Sequence, residues 1–145
     1  NTLALKVTHA VAGILSLAAI VAGITKLSPI LNPNAHKIMV DDFERSFQPI
    51  WPYISSSADR LRCFVGAAEI LLGLGSLKKI TRLASYLGMV VLFSGATWTH
   101  IKLNDGHWKP AVSFLAASLF CSIQVVRNKK QNKIPNNNDT KEKAN

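Results

Sequence analysis

What the sequence has little of narrows its chemistry before anything it contains. Its 145 residues hold two cysteines, Cys63 and Cys121, without C-x-x-C spacing. Neither a disulfide framework nor a dithiol redox motif is written there, and a reduced thiol in an apolar run behaves as a small hydrophobe. No G-x-G-x-x-G opens a dinucleotide-type unit, and GLGSLK at Gly73–Lys78 is not a P-loop. Acidic residues are scarce, 8 Asp and Glu against 17 Lys and Arg, for a net charge of +9. The most telling absence is local: Leu83–Thr99 and Ala111–Val126 carry no ionised residue at all. Helices on the surface of a soluble bundle show a charged stripe every turn or so, which argues against that class.

The hydrophobic content, 48%, is ordinary for a globular domain, but it is gathered into blocks over about 3–25, 61–77, 80–100 and 108–126. Each is close to the roughly 20 residues with which a helix crosses about 30 Å of hydrocarbon. The expectation is an all-α membrane protein, a four-transmembrane-helix bundle over residues 1–127, with a disordered basic tail over 128–145. The first run is long, lacks an A-x-A cleavage site and is followed by further spans, so it reads as a span and not as a removed signal.

Charge distribution argues against nucleic acid as the partner and gives the orientation. Arg127, Lys129, Lys130, Lys133, Lys141 and Lys143 follow the last block, and Lys78, Lys79 and Arg82 flank the short second connection. The positive-inside rule puts those regions and the N-terminus in the cytosol. The first connection mixes Lys37 and Arg45 with Asp41, Asp42, Glu44 and Asp59, which fits the lumenal side. Within it, Pro29 and Pro33 end the first helix, and 36–48 repeats Met39, Phe43 and Phe47 every four residues among charges. That spacing predicts an amphipathic helix lying in the interface or capping the bundle, with Trp51 and Tyr53 in an aromatic belt. In the tail, Lys141 and Lys143 are spaced, counting from Asn145, like a K-x-K-x-x signal for return to the endoplasmic reticulum.

Small residues and one carboxylate organise the interior. Gly66 and Gly73, and Gly88 and Gly95, each lie seven residues apart on a shared helix face, as expected of helices that pack closely in lipid. Glu69 stands alone in the apolar stretch Val65–Leu77 and needs a partner. Its candidate partner is Lys26, at the same end of the bundle, so the sequence predicts a Lys26–Glu69 pair with His100 close by. His100, Asp105 and His107 form a polar cluster after the third span, read as interfacial and not as a metal site.

These residues resemble a known pattern. G-x-x-K-L-[ST]-P at Gly23–Pro29, G-A-x-E at Gly66–Glu69 followed by Gly73, H-x-x-x-x-D at His100–Asp105, and Cys121 in the last span match the DoxX-like superfamily of four-span membrane proteins. The order holds from Thr8 to Arg127, and the nearest resemblance is to the branch of the novel acetylcholine receptor chaperones. The resemblance implies an endoplasmic reticulum resident that assists folding and assembly of pentameric ligand-gated channels and is not an enzyme. Lys26, Glu69, His100 and Asp105 would be its shared polar core, with membrane lipid and other membrane proteins as partners and no cofactor. The alternative it offers is a membrane subunit of a quinone-linked redox complex; a structural accessory subunit of a larger membrane complex is the plainer reading.

Overall fold

The computed structural model describes residues 2–53, 57–106 and 108–131, and among them the secondary structure is helical, without strands. Lys133, Lys141, Lys143 and His107 lie outside the described residues. Four long helices carry the fold: α1 (Thr2–Leu27), α4 (Ala58–Leu77), α5 (Arg82–Leu103) and α6 (Trp108–Gln131). Between α1 and α4 come α2 (Pro33–Asp42), a π-helical turn at Phe43–Phe47 and the short α3 (Gln48–Ile50).

Local chemistry sets the ends. α1 stops at Leu27, just before Ser28–Pro29, where the proline disfavours a helical residue ahead of it. Asn32 caps α2, its side-chain oxygen accepting from the Ala35 amide at 3.0 Å, with Pro33 at the first helical position. α5 closes on Asn104 in the left-handed region, φ 51°. α4 starts at Ala58, before the apolar block, because Asp59 suits a helix N-terminus and pairs with Arg62 one turn on. α6 runs to Gln131, beyond the apolar block and into the stretch expected to be disordered. Lys129 and Lys130 in its last turn are good helix formers and complement the C-terminal dipole.

The long helices run alternately up and down, α1 against α4, α4 against α5, α5 against α6, with α6 closing on α1. The central apolar cluster is Leu15, Ala19, Tyr86, Met89, Phe93 and Cys121, with Phe93 stacked on Phe114 at 5.4 Å. Between α1 and α4 the contact is backbone-close. A Cβ on Gly23 would lie 2.5 Å from the Gly66 carbonyl oxygen, and one on Gly73 would lie 2.6 Å from Ile20 Cγ1. Gly88 meets α4 through Leu72, at 2.6 Å from Cδ2. Gly95, expected to pack in the same way, stands apart: the nearest heavy atom to its Cβ position is in Trp51, at 4.0 Å. It faces the cap instead of a neighbouring long helix.

Two helices, over Lys6–Leu27 and Trp108–Lys130, are long and apolar enough to cross a membrane. α4 and α5, 20 and 22 residues long, do not meet that description. α4 contains Asp59, Arg60, Arg62 and Glu69, and α5 is diluted by serine, threonine and glycine.

Candidate functional site

The helix ends at Leu27, Ala58 and Leu103 meet under the segment of α2, the π-turn and α3, which packs on α1 and α4. At this capped end Lys26 and Glu69 form a bidentate pair, Lys26 Nζ donating to Oε2 at 2.8 Å and Oε1 at 3.0 Å. Both residues are nearly shut off from outside, 9% and 5% exposed.

The glycine contact explains how the two reach each other. Gly23 and Gly66 touch, and Lys26 and Glu69 each lie three residues further along their own helices. In an antiparallel pair this sets their backbones about 4.5 Å to either side of the contact. Side chains lean toward the N-terminus of their own helix, so each leans back toward the level of the glycines. A larger residue at either glycine would fill the space in which the charges meet.

Arg62, which the sequence did not single out, is a third buried ion at this end, 8% exposed. Its guanidinium donates to the Lys26 carbonyl and to Asp59. It thereby ties the last turn of α1, where carbonyls lack helical partners, to the first turns of α4. The Asp59–Arg62 spacing at the start of a helix was the available signal. His36 Nδ1 lies 2.7 Å from the Thr25 carbonyl oxygen and fixes α2 over the same turn.

His100 and Asp105 form a second pair, Nδ1 to Oδ2 at 2.7 Å, which is partly exposed at the end of α5. Phe47 meets the His100 ring edge-on at 5.3 Å and stacks on Phe43 at 4.8 Å, and Phe43 is itself buried. Of the expected four-residue repeat, Phe43 and Phe47 pack at the bundle end, where the helix widens to a π-turn across Phe43–Phe47. Trp51 extends the cap to α5, donating its indole N–H to Thr99 Oγ1 at 2.7 Å; Thr99 is fully buried. The four predicted polar residues thus meet two by two at one end, Lys26 with Glu69 between helices and His100 with Asp105 at the tip of α5. These charges and hydroxyls lie under the cap, where their mutual bonds hold α1, α4 and α5 to it. Among the described residues no group of three or more histidine, cysteine or carboxylate side chains is arranged to hold a metal ion.

The interior is polar well beyond these charges. Among the described residues, the buried side chains comprise eleven polar or charged and nine hydrophobic. Hydroxyls satisfy themselves locally: Ser16, Thr25, Ser94, Thr99, Ser113, Ser118 and Ser122 donate to the carbonyl four residues earlier. Ser16 and Ser76 also join α1 to α4 at 2.5 Å. Thr97 Oγ1 is buried without a partner.

Compared with protein-family models, with curated proteins and with solved structures, the chain matches none.

Proposed function

We propose that the chain is a four-span membrane protein of the endoplasmic reticulum, with α1, α4, α5 and α6 all crossing, the cap on the lumenal side and both termini in the cytosol. In this reading it acts without catalysis, helping pentameric ligand-gated channel subunits to fold and assemble. The observation that carries the membrane reading is the inverted polarity of the bundle. Serines, threonines and ions are inside, while Ile14, Leu17, Phe64, Leu71, Leu87, Val91 and Ile123 are at least half exposed on all four long helices. Such an outer surface is unfavourable in water and favoured in hydrocarbon.

α4 and α5 fit this reading when their side chains are followed. On α4, Asp59, Arg60 and Arg62 belong to the first turns, at the interface, and Glu69 is neutralised by Lys26. On α5, Ser85, Thr97 and Thr99 are buried while Leu87, Val91, Trp98 and Ile101 are outward. Lys102 lies over the Trp98 ring at 4.7 Å, as an interfacial anchor does.

The assembly role is supported by the family resemblance, whose motifs fall on residues that meet in space: Gly23 with Gly66, Lys26 with Glu69, His100 with Asp105. Unassembled channel subunits expose polar or poorly packed helix faces. A bundle with small-residue contacts and a capped polar core would shield such faces until a neighbouring subunit does so. The test is the cell-surface yield of channel subunits coexpressed with the chain, beside Glu69→Gln, Lys26→Met and the double Lys26→Met/Glu69→Leu variant at matched membrane levels. Wild type should raise surface receptor, and the double variant, though folded, should not. If no channel subunit responds to wild type, the assembly role is rejected.

A further inference from the structure

The end of the bundle opposite the cap holds a cavity of about 200 Å³ between α1, the α4–α5 turn and α6. Thr8, Ser16, Ser76, Arg82, Tyr86 and Gln124 give it hydroxyl, amide and guanidinium groups, and Ala12, Gly13, Leu77 and Val125 give it apolar wall. Of the four neighbouring helix pairs, α1 and α6 engage least, and the cavity lies where they part. Gly13 contributes to the opening, since a Cβ there would meet nothing within 4 Å.

Arg82 is held in a fixed place. Its Nε donates to the Ser76 carbonyl at 3.1 Å and Nη2 to the Leu77 carbonyl at 3.3 Å, at the C-terminus of α4. A guanidinium has five N–H donors, and its planar fork suits phosphate. Among the described residues the charge around it has one sign. Lys6, Lys78, Lys79, Arg127, Lys129 and Lys130 are exposed at this end, while Asp41, Asp42, Glu44, Asp59, Glu69 and Asp105 all lie in the cap or in the half of the bundle beneath it. The volume is below the roughly 300–1,000 Å³ of pockets that enclose a whole drug-sized ligand. It suits the head of a larger molecule whose remainder lies outside, and Ile14, Leu17 and Ile123 offer exposed apolar surface on α1 and α6.

We propose that this cleft seats the phosphate-bearing headgroup of an anionic phospholipid from the basic-side leaflet, with Arg82 as the counter-ion and the acyl chains along α1 and α6. The assignment rests on the membrane-spanning reading given above, and is independent of the assembly role. Basic pockets between membrane helices on the cytosolic side recognise such headgroups through the same combination of a fixed guanidinium and surrounding lysines.

The experiment is native mass spectrometry of the full chain released from phosphatidylcholine micelles, titrated with phosphatidylserine, with additional phosphatidylcholine or with inorganic phosphate. Arg82→Gln, Gly13→Leu and the rim variant Lys78→Gln/Lys79→Gln are measured beside wild type, each first checked for helicity and monodispersity. One phosphatidylserine should be retained per chain. Its affinity should fall about tenfold or more in Arg82→Gln and Gly13→Leu, and less in the rim variant. Equal retention of the neutral lipid, competition by free phosphate at the same concentration as the lipid, or equal loss in the rim variant and Arg82→Gln would each overturn the site. A chain that is soluble and monodisperse without micelles instead refutes the membrane reading on which it stands.

Discussion

Replacing the charges of Lys26 and Glu69 singly and together gives the sharpest energetic prediction. Both carboxylate oxygens are used, at 2.8 and 3.0 Å, and the two residues are 9% and 5% exposed. Removing one partner leaves the other charge buried without compensation, which costs about 3–5 kcal/mol. Removing both in favour of apolar residues of similar volume is close to neutral, or stabilising by about 1–4 kcal/mol. Lys26→Met and Glu69→Leu should therefore each lower the midpoint of unfolding in mixed micelles strongly, and the double variant should recover it. The coupling free energy from the full cycle should be at least about 6 kcal/mol, well above the roughly 0.2–1 kcal/mol of a solvated pair. Far-ultraviolet circular dichroism during titration with a denaturing detergent reads all four proteins. Single variants that each lose under about 1 kcal/mol, with additive effects, would show that the pair is wet and refute the reasoning.

Further outcomes follow from the same contacts and the same assay. Gly23→Ala puts a methyl 2.5 Å from the Gly66 carbonyl oxygen and 2.7 Å from Ile70 Cγ1, so α1 and α4 must separate at a cost of about 1–3 kcal/mol. Gly95→Ala, with nothing nearer than 4.0 Å, should be neutral or stabilise by about 0.5–1 kcal/mol through helix propensity. Trp51→Phe removes the bond to Thr99 and should cost about 1 kcal/mol, with faster amide exchange confined to the cap and the end of α5. Thr97→Val replaces a buried hydroxyl that lacks a partner with an isosteric methyl and should not destabilise; a loss above about 1 kcal/mol would mean that the hydroxyl is bonded.

Much of this arrangement was legible in the sequence because it follows from scarcity. A single carboxylate inside an apolar run needs a partner, and Lys26 ends the neighbouring run at the matching level. The long helices were legible as apolar blocks, although α4 and α6 extend past them because helix formation does not stop where hydrophobicity does. Arg62 escaped because an arginine at the edge of a span reads as an interfacial anchor, and only the fold aims it at the carbonyl of Lys26. Gly23 was legible as the start of a motif but not as a packing residue, because contact between α1 and α4 is set by crossing geometry. The four-residue repeat of Met39, Phe43 and Phe47 indicated a covering face, but such a repeat does not distinguish a regular helix from one widened at Phe43–Phe47.

The central claim is that all four long helices cross the bilayer, and the short turn between α4 and α5 decides it. A glycosylation acceptor on a flexible insert in the turn at residues 78–81, expressed with intact microsomes, reads which side that turn occupies. Parallel acceptors in the connections before α4 and before α6 serve as references. If all four helices cross, both references are modified and the 78–81 acceptor is not. If only α1 and α6 cross, the 78–81 acceptor is modified together with the references, and the four-span account is contradicted.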